Sequence, residues 1–225
     1  MKEQTNPSWI EDLENREWII EHSEELLAFY GEDPFAADRP VAMKGKLEAV
    51  RSSGSEAIAH AVAESWMEEL GFPFDGVSIE ISDEPGIGLE LDESASIELG
   101  KELVADEQTL LASVALAMSG IFLALDRPEE GEGWSEAEES PIHALVAVLL
   151  GMGPYLCNRA IGYDPANAAV EIGMDLQELC FAQAYLTFVF DQDFTAFQEW
   201  FAPEARTLVG EALEYLKTRE TSAST

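Results

Sequence analysis

Residues 106–125 read DEQTLLASVALAMSGIFLAL, and the reading of this stretch decides the fold. Asp106 begins a run that is apolar on nearly every helical face. A helix without a polar side belongs at the centre of a core. The other long apolar run is Ile142–Leu156. Both runs are near or under the length that spans a bilayer, and both are broken by Ser, Gly or Pro, so they read as buried helices.

On the N-terminal side the period changes to two. Val77, Ile79 and Ile81 alternate with Ser and Glu, and Ile87, Leu89 and Leu91 alternate again after the turn Asp83–Gly86. This predicts a β-hairpin with one wet face, with a short third strand at Ser96–Leu99. Further out, Ile58, Val62, Trp66 and Leu70 recur every four residues. They place a helix over Ser55–Leu70, capped by Ser55 and ended by Gly71 and Pro73. Residues 31–54 are turn-rich. Residues 8–30 read as one amphipathic helix with a Ser8/Glu11 capping box and a stop at Gly31.

On the C-terminal side, DRPEEGEGWSEAEES over 126–140 is a Gly-, Glu- and Pro-rich loop holding Trp134. Pro141 begins the next helix, which runs to about Ile161 with a bend at Gly151–Pro154. Asp164–Pro165 opens a long aromatic-rich helix to about Phe190. The Asp191-Gln192-Asp193 run reads as a helix stop with capping. A short helical turn is expected at Phe194–Phe201 and a last helix at Pro203–Lys217. The expected fold is α+β, a mostly helical single domain with a small antiparallel sheet. Residues 1–54 form an N-terminal helical segment and turn-rich linker, 55–217 the core, and 218–225 a disordered tail.

Composition limits function. The 225 residues carry 45 Asp or Glu against 12 Lys or Arg, a formal net charge of −33, yet 47% are hydrophobic. That apolar content separates the chain from disordered acidic tails. Phosphate-driven nucleic-acid binding needs clustered Lys and Arg, and so does attachment to an anionic membrane surface; neither is expected. Between Ser52 and Asn158 the only Lys or Arg residues are Lys101 and Arg127. A single-sign field there would steer and capture a basic protein partner. The polar N-terminus has no signal-peptide pattern, and Cys157 and Cys180 read as buried thiols, so a cytoplasmic location is expected.

The order of elements from Ile79 onward carries a resemblance. A hairpin precedes S-I-E-L (96–99), the apolar helix of 106–125 and a Gly/Glu loop. Then come S-P-I-H-A-L-V-A-V-L-L-G-M-G-P-Y-L-C-N-R-A (140–160) and G-Y-D-P (162–165). Over residues 77–190 this is similar to bacterial zincin-like proteins related to the gluzincin metallopeptidases. There, one helix carries H-E-x-x-H, and a later helix adds a Glu that completes a zinc site. The resemblance implies a zincin-like core. It puts the two metal-binding His on Leu116 and Gly120, the general base on Ala117, the third ligand on Ser140, and an Asp that commonly follows on Ala144. Zinc needs three N, O or S ligands, and hydrolysis adds a base. None of these side chains meets that need, so the resemblance implies a pseudoenzyme, and no cofactor is expected.

His143 stands beside the degenerate positions at the expected start of its helix, where the dipole would favour the neutral ring. Cys157 lies fourteen residues on, roughly 20 Å along the axis, which rules out a dyad within that helix. No phosphate-binding or dinucleotide-binding glycine pattern and no nucleophile elbow occurs. The expected function is therefore a non-catalytic acidic interaction protein, such as an immunity or inhibitor protein that covers a basic toxin. Its contact face would comprise Glu129, Glu130, Glu132, Trp134, Glu136, Glu138 and Glu139, with Trp134 as anchor. The alternatives are a hydrolase with a non-standard metal site at Glu138, Glu139 and His143, or a salt-adapted protein whose charge serves solvation.

Overall fold

The structure, a computed structural model, describes residues 7–35, 46–125, 136–162 and 171–223. Mostly helical, it surrounds one three-stranded sheet. In chain order α1 is Ser8–Glu11, α2 Arg16–Tyr30, α3 Ser55–Leu70, β1 Val77–Ser82, β2 Ile87–Leu91, β3 Ala95–Gly100 and α4 Glu107–Leu125. Then come α5 Glu136–Ala147, a π-helical turn at Val148–Met152, α6 Gly153–Ala160, α7 Leu176–Val189 and α8 Pro203–Ala223.

The apolar stretch is the central helix, α4. Ala112, Val114, Ala115, Met118 and Ile121 are wholly buried, and α3, α5, α6 and β2 all pack on it. Its two buried serine hydroxyls bond back into the helix, Ser113 Oγ to Thr109 O at 2.8 Å and Ser119 Oγ to Leu116 O at 2.7 Å. Asp106 caps it: the Thr109 N–H donates to Asp106 Oδ1 at 2.9 Å and the Thr109 hydroxyl to Oδ2 at 2.7 Å. Both bonds favour the charged carboxylate and hold its pKa below the ordinary value. Asp106→Ala is expected to cost about 1–2 kcal/mol in urea unfolding at pH 7. Because the folded carboxyl is the stronger acid, that contribution is present above about pH 4 and disappears as pH falls further. Variant and parent should converge near pH 2.

The expected pairing of the first two strands is wrong. The sheet order is β1-β3-β2. β1 runs parallel to β3, with Ile79 opposite Ile97, and β2 runs antiparallel to β3, with Leu89 opposite Ile97. Alternation tells which side chains face inward, not which strand lies alongside. β3 takes the middle because Ala95, Ile97 and Leu99 are all fully buried. The chain leaves β1 and crosses the end of β3 at Gly86 (φ +95°). There the Gly86 carbonyl accepts the Gly100 N–H at 2.9 Å, and the Gly86 N–H donates to Glu102 Oε1 at 2.8 Å. The hairpin is thus β2–β3, closed by the Asp92 N–H on Ser94 O at 3.1 Å. The single wet face is present on β1, where Val77 and Ile79 are buried while Ser78 and Glu80 are exposed.

Several helix limits also differ. The first helix is split at residues 12–15, and Ser8 makes no side-chain cap; Gly31 does close α2, its N–H on Leu27 O. At α3 the cap position is Gly54, while Ser55 Oγ bonds Val104 O at 3.3 Å. Gly71 ends α3 in the left-handed conformation. Pro141 lies inside α5, which begins at Glu136. The expected bend is present, with Gly151 at φ +87° within the π turn. The aromatic helix starts at Leu176, capped by a reciprocal Asp175/Glu178 box, and residues 171–175 are not helical. Asp164 and Pro165 lie outside the described residues. Asp193 caps the short 3-10 turn at Phe194–Ala196 through the Thr195 N–H. The last helix continues through residue 223, where sequence composition suggested fraying.

The aromatic segment is core: Phe181, Phe197 and Phe201 are at most 2% exposed. Cys157 and Cys180 are free, buried thiols. The Cys180 thiol donates to Ala205 O at 3.7 Å; its hydrogen bond with the Cys157 thiol, together with burial, raises its pKa and keeps it protonated. The two long apolar segments, 107–125 and 139–160, have the length and composition of a membrane span, and 83% of each span window is buried inside the fold.

Candidate functional site

A cleft of about 480 Å³ opens where β2, α4 and α5 meet. Ile87 and Leu89 come from β2, Leu116 and Ala117 from α4, Glu139, Ser140 and His143 from α5, and Glu171 from the segment before α7. One side of the cleft is therefore aliphatic, and the other carries two carboxylates, a hydroxyl and an imidazole.

Helical geometry explains the convergence. Leu116 and Ala117 lie one turn from Gly120 on α4, and Ser140 and His143 lie three apart on α5, so each set shares a face. Gly120 lets the layers close up. A methyl group built there would stand 2.7 Å from Leu89 Cδ1 and 3.5 Å from His143 Cε1. Leu89 is 40% exposed at the sheet edge, with its side chain draped over this glycine. Glu171 is positioned by Gly173, whose backbone packs on Ser140 and Pro141 at the near end of the cleft.

Four residues of the sequence-derived degenerate site, Leu116, Ala117, Ser140 and His143, thus line one cleft, and Gly120 packs beneath Leu89 beside it. Ala144 is fully buried and does not line it. His143 stands seven residues into α5, not in its first turn, because the helix begins earlier than Pro141. The dipole effect expected for its ring fades within the first turn and does not reach it. Of the acidic contact face, Glu139 is on the cleft rim. Glu136 and Glu138 lie on α5 and are described by backbone alone; Glu129, Glu130, Glu132 and Trp134 lie outside the described residues. Sequence reasoning missed Ile87, Leu89 and Glu171 as site residues. The strand alternation marked the first two, but only the true strand order puts them beside α4.

The zinc implied by the resemblance does not fit this site. Leu89 fills the space over Gly120, and the remaining two positions on α4 hold a leucine and an alanine. Among the described residues, no group of three or more His, Cys, Asp or Glu is placed to hold a metal ion. Glu139 and Glu171 are exposed at the cleft rim, and no Lys or Arg lines it among the described residues. Basic residues nearby in sequence are engaged elsewhere: Lys46 with Glu68 at 3.1 Å, Arg51 with Glu107, and Lys101 with Asp83. Comparison with protein-family models, curated proteins and solved structures gives no match.

Proposed function

We propose that this chain is a non-catalytic acidic interaction protein on a degenerate zincin-like scaffold, and that the cleft between β2, α4 and α5 receives a basic protein partner. An immunity or inhibitor protein covering a basic toxin is the concrete form of this reading. The observation that carries it is the convergence just described. Three of the positions where the resemblance puts metal chemistry, Leu116, Ala117 and Ser140, line one cleft; their side chains are aliphatic or small, and Glu139 and Glu171 line it with them.

Two further features support a docking role. Among the described residues β2 is an edge strand, paired with β3 alone. Such an edge offers backbone groups to an added extended segment. The field of a chain with net charge −33 would raise the capture rate of a cationic partner, and apolar burial in the cleft would set its residence time.

The test is calorimetric titration with candidate basic partners encoded in the same operon. A complex whose Kd weakens about 10-fold or more between 50 and 300 mM NaCl is expected. A complex indifferent to salt, or none at low salt, contradicts the reading.

A further inference from the structure

The chain has two cysteines in all, Cys157 and Cys180, and the fold sets them face to face. Both are free and wholly buried, one on α6 and one on α7, helices that pack on each other. Two separate observations fix the alignment. A methyl group built on Gly153 would run into the side-chain carboxamide of Gln183, with Cδ at 3.1 Å, so Gly153 of α6 lies against Gln183 of α7. The Cys180 thiol in turn shares a hydrogen bond with the Cys157 thiol. Cys157 stands one turn after Gly153 and Cys180 about one turn before Gln183, so each pair shares a helix face. The two helices therefore run in opposite directions, and the cysteines meet one turn along from the glycine contact. That glycine lets the backbones close up beside the thiols, and a disulfide needs Cα atoms within about 7 Å. The Cys180 thiol also donates to Ala205 O at 3.7 Å, so α8 borders the pair.

We propose that Cys157 and Cys180 are a peroxide-oxidisable dithiol whose disulfide staples α6 to α7. The oxidant is hydrogen peroxide, a molecule close to water in size, which reaches the buried pair through local openings of the fold. One sulfur gives an electron pair to a peroxide oxygen, the O–O bond breaks, and a sulfenic acid and one water form. The sulfur of the second thiol then attacks the sulfenic sulfur. The S–O bond breaks, the S–S bond forms, and the departing hydroxide takes the second thiol's proton to leave as water. In total two thiols and one hydrogen peroxide become one disulfide and two waters: sulfur is oxidised and peroxide oxygen is reduced. Bridge formation outruns further oxidation because the second thiol is already in contact with the first. The bridge closes a loop over residues 158–179 and so restricts the unfolded chain.

The test treats reduced full-length protein with hydrogen peroxide at neutral pH, removes the excess with catalase, denatures the protein in N-ethylmaleimide and weighs it intact. A monomer lighter by two hydrogens is expected. It should take up no maleimide, regain both thiols with dithiothreitol, and melt about 6–12 °C above the reduced form. Arg159 lies between the two cysteines, so after trypsin the bridge should join two peptides that part on reduction. In Cys180→Ser neither the loss of hydrogen nor the gain in Tm is expected; if that variant does not fold, the parent protein decides alone. Thiols that still take up maleimide after treatment overturn the proposal. So do sulfinic or sulfonic acid in place of a bridge, a disulfide between two chains, or a bridge that leaves Tm unchanged.

Discussion

Gly173→Ala is expected to destabilise the protein by about 2–4 kcal/mol, a fall in Tm of about 4–16 °C for a chain this size. Two costs combine. Gly173 has φ +78°, where an alanine is strained by about 1 kcal/mol. Its added methyl would also sit 2.5 Å from the Ser140 carbonyl carbon and 2.6 Å from Pro141 N. Those are backbone atoms of a packed helix and cannot turn aside. The loop cannot swing outward cheaply either, because Ile172 and Met174 on either side are buried at 0% and 4% exposure. Gly71→Ala is the control. It has φ +64° with nothing within 4 Å, so only the conformational cost of about 1 kcal/mol applies. Urea unfolding of both variants measures the difference. Equal losses would mean that Gly173 matters for its φ alone and that the Glu171 segment is not wedged against α5.

The second large effect concerns affinity. Glu139→Lys/Glu171→Lys is expected to weaken binding of the basic partner by about 100-fold at low salt, since both rim carboxylates become repulsive. Net charge rises by four, so a change in the overall field would contribute as well. Glu56→Lys/Glu80→Lys separates the two effects. These residues are exposed on α3 and on the wet face of β1, and neither lines the cleft. They produce the same change in net charge and are expected to weaken binding far less. Equal losses from the two double variants would assign capture to the field as a whole and remove the cleft from the account.

How much of this was legible in the sequence depends on what kind of information each feature needs. Local patterns were enough for the central helix, for α3, and for the inward face of β1, where the periodicity matches the burial; on β2 it does not, since Leu89 is 40% exposed. Asp106 was readable as a start signal since capping is local. Strand partners were not readable. β1 finds β3 through a crossover held by Gly86, Gly100 and Glu102, contacts between residues far apart in sequence. The start of α5 was misplaced because Pro141 looks like a first-turn residue, whereas it stands inside the helix, five residues past Glu136, where proline is ordinarily disfavoured. No local pattern told that Leu116, Ala117, Ser140 and His143 line one cleft, since that depends on how α4 packs on α5. Glu171 could not be found from a local pattern either, for its place rests on the tight seating of Gly173 against α5.

The central proposal is that the cleft between β2, α4 and α5, with its aliphatic floor, is a docking site and not a zinc centre. Zinc titration of the purified chain, followed by metal analysis after gel filtration, tests it most directly. The account predicts far less than one zinc per chain retained and no shift in Tm, because Leu116, Ala117 and Gly120 offer no ligand atoms. One tightly held zinc per chain, lost on Glu139→Gln or His143→Gln, would contradict it.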